Sequence, residues 1–295
     1  MEATLTTEPC LETSTAFSPF EIRETGVSSA GSFTLHRPAA GPSKGLAILL
    51  PGWSGPRTGP ADVLVFLASK LAEHGWSALR LDLPGRGDAA AHEPIDLDAM
   101  IDSAARGAHP LKGETGRRVL IGICSGGNVA LGAAPLKACA DFDAIVAIST
   151  FPFQPARTKE FDRLRRWQNI KRYASKALSP STWLRLVKGE INVDRVKKNV
   201  TSNEKPAEGR NLKDSARDIE KELQNWKGAA LFLWGGGDEE APPARTHFEK
   251  LHAAGMGARS QVNFHTVPGA NHNFYGRAWR EELVREILKF LEHYN

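Results

Sequence analysis

The sequence has little cysteine, no long apolar run and no basic stretch followed by an apolar one at its start. Three cysteines in 295 residues, at positions 10, 124 and 139, give neither a disulfide framework nor the paired spacing of a zinc site. No run of about 18 apolar residues is present, so no membrane span is predicted. Residues 1–20 lack the basic and apolar regions of a signal peptide. We therefore expect a cytoplasmic protein without a bound metal.

Charge is unevenly distributed along the chain. The formal net charge is +4, yet residues 151–213 contain 16 Lys and Arg against 6 Asp and Glu, a net charge of +10. A basic segment of this kind is one signature of nucleic-acid binding. This one has no zinc-ligand spacing and no recognisable nucleic-acid motif. Solvated basic helices explain the segment better, and no nucleic-acid partner is predicted.

Short apolar runs alternate with amphipathic segments through most of the chain. Strands are predicted at 20–27, 32–37, 45–50, 78–83, 119–123, 144–149, 229–233 and 262–267. Helices are predicted at 61–74, 96–111, 126–140, 241–254 and 278–294, with Pro135 expected to disturb the third. This alternation predicts an α/β fold with a mostly parallel, doubly wound sheet.

One interval does not fit the alternation. About 80 residues separate the sixth predicted strand from the seventh, which is too long for a crossover loop. Aromatic and aliphatic residues recur there at helical spacing, among them Trp167 and Trp183. We therefore predict a basic helical cap inserted into the core. The predicted divisions are a flexible N-terminus at 1–18, a core formed by 19–150 and 214–295, and the cap at 151–213.

The chemistry is indicated first by Gly122-Ile-Cys-Ser-Gly126, which follows β-forming residues and precedes a small-residue helix pattern. Such a strand–turn–helix holds a nucleophile in a strained backbone at the top of an α/β sheet. The turn needs very small residues two positions before and two after the nucleophile. Both are glycine if the motif is centred on Cys124, whereas Ile123 takes the first position if it is centred on Ser125. Cys124 is the predicted nucleophile; the alternatives are Ser125 and a buried structural cysteine.

A thiol nucleophile needs a base, and the base needs a carboxylate that orients it. Asp238 stands in a glycine-rich loop after the seventh predicted strand, and His272 stands in the loop after the eighth. The carboxyl ends of parallel strands lie at the same edge of the sheet, where sites of such folds form. The order along the chain therefore predicts a triad of Cys124, Asp238 and His272.

An acyl-transfer site also needs donors for the oxyanion. The backbone N–H of Ser125, directly after the nucleophile, is one predicted donor. The other is the backbone N–H of Trp53, in the loop Pro51-Gly-Trp-Ser-Gly55 that follows the third predicted strand. The alternative for that loop is an ordinary glycine turn with Trp53 in the core.

Together with the stretch Asp-Leu-Pro-Gly-Arg-Gly-Asp, these motifs make residues 20–295 resemble the α/β-hydrolase superfamily. The pattern Gly-x-Cys-x-Gly-Gly with a later His-x-Phe is similar to that of dienelactone hydrolases, whose nucleophile is a cysteine. The basic insertion around Trp183 and the tail at 273–279 resemble hydrolases associated with exosortase gene clusters. The chain departs from many relatives at Pro51, where they place a histidine before the oxyanion glycine.

The resemblance implies hydrolysis of an ester or thioester with no metal or organic cofactor. Cys124 would attack the carbonyl, His272 would move the proton, and Asp238 would orient His272. The cap would shape a substrate pocket with Trp167 and Trp183. Its basicity favours an anionic substrate, such as a phosphopantetheine thioester on coenzyme A or a carrier protein. The alternatives are an acyltransferase or cyclase with the same acyl-Cys intermediate, of a natural-product or polysaccharide pathway, and a non-catalytic binding protein.

Overall fold

The computed structural model describes most of the predicted core. The residues it describes are 10–18, 21–28, 31–89, 96–107, 116–136, 141–153, 214–256 and 261–294. Of the predicted cap, only 151–153 fall within these ranges, so Trp167 and Trp183 lie outside the described residues. The cap itself stays a prediction.

A nine-stranded sheet organises the described residues. Its strands are β1 (Cys10–Ser18), β2 (Glu21–Ser28), β3 (Gly31–Pro38), β4 (Gly45–Leu50), β5 (Ser77–Leu81), β6 (Arg117–Ile123), β7 (Ala144–Ile148), β8 (Ala229–Gly235) and β9 (Val262–Val267). Their order across the sheet is β1-β2-β3-β5-β4-β6-β7-β8-β9. The pairs β1–β2, β2–β3 and β3–β5 are antiparallel. The remaining pairs, β5–β4, β4–β6, β6–β7, β7–β8 and β8–β9, are parallel. The predicted mostly parallel sheet is confirmed.

Helices cover both faces of this sheet. They are α1 (Val63–Glu73), α2 (Leu97–Gly107), α3 (Ser125–Ala133), α4 (Ile219–Asn225), α5 (Ala241–Ala253) and α6 (Arg277–His293), with a 3-10 turn at Pro60–Asp62. Helices α1 and α6 pack into one apolar cluster, and the other four pack into a second cluster on the opposite face. None of the helices in the described ranges has the length and apolar character needed to cross a membrane.

Three of the parallel strands, β4, β7 and β8, are apolar because both of their faces are covered. Every residue of β4, β5, β7 and β8 is buried. Strands buried on both faces have continuous apolar sequences rather than alternating ones. The packing fixes the carboxyl ends of β4, β6, β8 and β9 at one edge of the sheet, where the predicted functional loops begin.

The N-terminal segment differs from the prediction. We expected residues 1–18 to be flexible, but Cys10–Ser18 forms β1 and pairs antiparallel with β2. The segment is polar, so it lacks the apolar alternation that marks a half-buried strand. Its strand conformation comes from the backbone hydrogen bonds that an existing sheet edge offers.

Two helices also differ from the sequence analysis. The short helix α4 was not predicted; the Asp218 side chain caps it by accepting from the backbone N–H of Lys221 at 3.2 Å. Only Ile219 and Leu223 of this helix are buried, and two apolar residues one turn apart are too few to show helical periodicity in the sequence. Helix α3 ends at Ala133, earlier than predicted and two residues before Pro135, which cannot donate to a helical carbonyl.

Candidate active site

Cys124 stands in a strained turn between β6 and α3. Its backbone angles are φ 57° and ψ −126°, outside the regions that L-residues prefer. The backbone N–H of Cys124 donates to the Ile148 carbonyl at 2.8 Å, which ties the turn to the end of β7. Such strain costs about 1–3 kcal/mol and clusters at functional sites. The strained residue is the one predicted from the sequence as nucleophile.

The glycines around Cys124 are sterically required. A Cβ on Gly122 would overlap the carbonyl oxygen of Gly126, and a Cβ on Gly126 would overlap the carbonyl oxygens of Leu50 and Pro51. Both glycines therefore allow the turn to close against α3 and the end of β4. The turn is centred on Cys124, whereas Ser125 is the first residue of α3.

His272 joins Cys124 to Asp238. Its Nδ1 lies 2.7 Å from Asp238 Oδ2, so the ring N–H donates to the carboxylate. Cys124 lies beside the same imidazole and favours its charged form. Burial disfavours the charged imidazolium, but the hydrogen bonds and charges of Asp238 and Cys124 outweigh burial and raise the pKa of His272 to about 10. The three predicted triad residues are brought together, with a protonated imidazole favoured at neutral pH.

The loops that carry Asp238 and His272 are joined by backbone hydrogen bonds. The N–H groups of Gly236 and Gly237 donate to the carbonyls of Val267 and Ala270, both at 2.8 Å. A Cβ on Gly235 would overlap the Ala270 carbonyl oxygen. The glycine-rich sequence before Asp238 therefore allows the two loops to approach closely, which fixes the carboxylate beside the imidazole.

Two contacts of His272 were not predicted from the sequence. Ser149, at φ 48°, donates its hydroxyl to the His272 carbonyl oxygen at 2.9 Å. The Phe151 ring stacks on the imidazole with centroids 5.2 Å apart and planes 3° apart. Both residues follow β7 and lie more than 100 positions from His272 in the chain. No local pattern links such distant residues; only the sheet order brings β7 close to the histidine loop.

The predicted oxyanion loop lies beside the nucleophile, with one unexpected contact. The backbone N–H of Trp53 donates to the side-chain hydroxyl of Ser125, with N and Oγ 2.5 Å apart. Arg86 donates to the Trp53 carbonyl oxygen and places its guanidinium 5.4 Å from the centre of the indole. The Ser125 backbone N–H belongs to the first turn of α3 and has no acceptor within the helix. The two predicted donors are adjacent, but the amide of Trp53 is directed at a hydroxyl.

An ion-pair cluster also holds the predicted oxyanion loop in position. Arg57 donates its backbone N–H to Asp82 Oδ1 at 2.5 Å and pairs through its guanidinium with Asp82 and with Asp88, the latter at 2.6 Å. The Asp82 side chain is fully buried. A Cβ on Gly87 would overlap its carboxylate. The motif Asp-Leu-Pro-Gly-Arg-Gly-Asp noted in the sequence therefore holds the oxyanion loop in place.

Comparison with known proteins agrees with this geometry. Residues 47–286 match the model of the alpha/beta hydrolase family. The chain belongs to the alpha/beta hydrolase family. This membership identifies it as a hydrolase-type enzyme. A search of curated proteins found no match.

Solved structures of other alpha/beta hydrolases show the same fold at low identity. A dienelactone hydrolase from Anabaena variabilis is 14% identical with a TM-score of 0.56, and the match covers 97% of this chain and 99% of that one. Est1E from Butyrivibrio proteoclasticus, with ferulic acid bound, is 19% identical with a TM-score of 0.59 over 91% and 94%. An esterase from Pyrococcus furiosus is 14% identical with a TM-score of 0.58 over 99% of each chain.

In this alpha/beta hydrolase a cleft of about 600 Å³ opens beside Cys124 and His272. Cys124 and His272 line it, together with mainly apolar side chains from the loops around it: Trp53, Pro56, Pro60, Leu97, Phe151 and Phe153. Glu240 contributes the one carboxylate among the described lining residues. Asn128 also lines the cleft, but its amide donates to the Phe151 carbonyl at 2.8 Å. The cleft is suited to an apolar group attached to the reacting carbonyl.

One group of side chains in the described ranges has the composition of a metal site. His265 on β9 faces Glu282 and Glu286 on α6, and one ligand atom from each lies within 4.8 Å of the others. Glu282 also pairs with Arg285, which competes with any cation for that carboxylate. None of these residues lines the cleft, so the triad and this group are separate.

Proposed function

We propose that this hydrolase cleaves an ester or thioester through a covalent acyl intermediate on Cys124. The observation that carries the proposal is the continuous contact from the strained Cys124 through His272 to Asp238. Because the pKa of His272 is raised to about 10, its ring holds a proton at neutral pH and is suited to stabilise a Cys124 thiolate and to protonate a leaving group. The cleft above the thiol provides space for an acyl group.

In the proposed reaction, the Cys124 thiolate attacks the substrate carbonyl carbon and a C–S bond forms. The carbonyl π electrons move to the oxygen, and the backbone N–H of Ser125 donates to this oxyanion. When the intermediate collapses, the bond to the leaving group breaks, and the alkoxide or thiolate takes its proton from protonated His272. His272 then deprotonates a water that attacks the thioester. Collapse of the second intermediate releases the carboxylic acid and the Cys124 thiolate.

Asp238 acts through His272 in this scheme. Its carboxylate accepts from Nδ1 at 2.7 Å and therefore leaves the other ring nitrogen for the thiol and the leaving group. Ser149 and Phe151 hold the histidine backbone and ring. Phe151 also covers one face of the imidazole and so restricts rotation of the ring.

The described lining favours a substrate with an apolar or aromatic acyl group. The aromatic rings of Trp53, Phe151 and Phe153 border the cleft. The 16 basic residues of 151–213 would instead favour an anionic portion further out, as in coenzyme A or a carrier-bound phosphopantetheine. Such a thioester combines an apolar acyl end with an anionic carrier. Because these carriers occur in the cytoplasm, we propose a cytoplasmic location for the enzyme.

The second candidate is an acyltransferase or cyclase with the same intermediate. The thiol nucleophile favours it, because amines and alcohols can intercept a thioester before water does. A non-catalytic binding role requires no hydrogen-bonded triad, and the contacts of Cys124, His272 and Asp238 count against it.

Product analysis with two probe substrates tests the proposal. A p-nitrophenyl ester and an acyl-coenzyme A would be incubated with the wild-type protein and with Cys124→Ala, with and without an added amine or alcohol. We expect free acid from the wild type and none from the variant. An amide or new ester as the main product would favour the transferase, and equal rates for both proteins would exclude Cys124 as nucleophile.

A further inference from the structure

The hydroxyl of Ser125 lies in the wall of the cleft, next to the Trp53 amide. Ser125 Oγ is 2.5 Å from the Trp53 backbone nitrogen, and both residues line the cleft beside Cys124. A Cβ built on Gly52 would stand 3.5 Å from Cys124 Cβ and 3.9 Å from Ser125 Oγ, so this hydroxyl and the nucleophile flank the same point. The side chain of the residue after Cys124 therefore lies close to the Cys124 side chain.

The contact with Trp53 sets the direction of the remaining proton. A serine hydroxyl has one donor and two acceptor positions. Because its oxygen accepts from the Trp53 N–H, its own O–H is free to donate to another acceptor. Accepting one hydrogen bond also polarises the hydroxyl and strengthens the bond that it donates. The amide of Trp53 can thus act on an oxyanion through this hydroxyl.

We propose that the Ser125 side chain is an oxyanion donor, in addition to its backbone N–H, and that Trp53 contributes by polarising it. This inference rests on the proposed acyl-Cys reaction. Ser125 forms no covalent bond in the cycle. Its hydroxyl donates a hydrogen bond to the oxyanion in both tetrahedral intermediates, and this hydrogen bond is lost when each intermediate collapses. The direct role predicted for the Trp53 amide becomes an indirect one.

A competing arrangement makes the opposite prediction. If the Ser125 hydroxyl only blocks the Trp53 amide, a substrate carbonyl must displace the hydroxyl from that amide. Removing the hydroxyl by substitution would then expose the Trp53 N–H as a donor. Loss of Ser125 Oγ would then leave acylation unchanged or make it faster. The two arrangements are distinguished by the sign of the effect of one substitution.

The test compares two reactions of Cys124 in the wild type, Ser125→Ala and Ser125→Thr. Acylation by p-nitrophenyl acetate passes through an oxyanion, whereas alkylation by iodoacetamide is a displacement at carbon and does not. We expect Ser125→Ala to slow acylation by about 10²-fold, as for loss of one oxyanion donor, with little change in KM. Alkylation of Cys124 should keep its rate, and Ser125→Thr should recover most of the acylation rate because it keeps the hydroxyl.

Each other outcome is informative. Unchanged or faster acylation in Ser125→Ala would overturn the proposal in favour of the blocking arrangement. An equal loss in acylation and alkylation would also overturn it, because Ser125 would then act by supporting the turn. If wild-type protein is alkylated at Cys124 but never acylated there, the proposed function itself fails, and this result is separate from any effect of Ser125.

Discussion

Replacement of Asp238 by asparagine tests whether the carboxylate sustains the charged form of His272. The pKa of His272 is raised to about 10 by contacts with Asp238 and Cys124, against the opposing effect of burial. Loss of a neighbouring opposite charge lowers such a pKa by about 1–3 pH units, equivalent to about 1–4 kcal/mol. The asparagine can also present its NH₂ group to Nδ1 and select the wrong tautomer. We therefore expect kcat/KM to fall by roughly 10³-fold or more.

Two measurements check this prediction. An NMR titration of the His272 ring should show a lower pKa in Asp238→Asn, and steady-state kinetics should show the loss in rate. Glu239→Gln is the matched control, since it removes one negative charge from the adjacent residue and should change neither quantity substantially. The double variant Asp238→Asn/His272→Ala should lose little more than His272→Ala alone, because the two residues act as one unit. A near-normal rate in Asp238→Asn would refute the reasoning and make Glu239 the next acid to examine.

Three further predictions concern the turn, the core and the cap. Gly122→Ala should lower the free energy of unfolding, measured by urea denaturation, by about 1–3 kcal/mol because the new Cβ overlaps the turn. Gly55→Ala is the control and should have little effect, since its Cβ would meet its nearest atom at 3.6 Å. Equal effects of the two substitutions would contradict the steric argument. Burial lowers the pKa of His36 to about 4, so the unfolded chain binds the extra proton between about pH 6.5 and 4. As the pH is lowered from 6.5 to 4, the free energy of unfolding should therefore fall by about 3 kcal/mol more in the wild type than in His36→Gln. Parallel pH profiles of the two proteins would contradict this prediction. Alanine at Trp167 or Trp183 should change KM and substrate preference but not the rate at which iodoacetamide alkylates the nucleophile; an unchanged KM would argue against a cap over the cleft.

The succession of strands and helices along the chain, and the loops that carry the three predicted triad residues, could be predicted from the sequence because both depend on local patterns. Continuous apolar runs mark strands buried on both faces, and the loops after β6, β8 and β9 carry Cys124, Asp238 and His272. Parallel strands place these loops at one edge. The glycines at 122 and 126 predicted the strained residue correctly, because their steric role is local to the turn.

The residues that support the site could not be predicted in the same way. Ser149 and Phe151 contact His272 only because β7 lies next to β8 in the sheet. The bond between the Trp53 amide and the Ser125 hydroxyl joins residues 72 positions apart. Such contacts depend on side-chain orientation across the sheet edge, for which the sequence has no periodic signal. Strand β1 was missed for a related reason, since a polar edge strand forms through backbone pairing.

Mapping of a trapped acyl group tests the central claim most directly. The wild-type protein would be quenched during turnover of a p-nitrophenyl ester and digested, and the peptide that carries the substrate-derived mass would be sequenced by mass spectrometry. We predict the acyl group on Cys124, its loss in Cys124→Ala, and its continued presence on Cys124 in Ser125→Ala. An acyl group on Ser125 of the wild-type protein, or an equal yield of adduct in Cys124→Ala, would contradict the account.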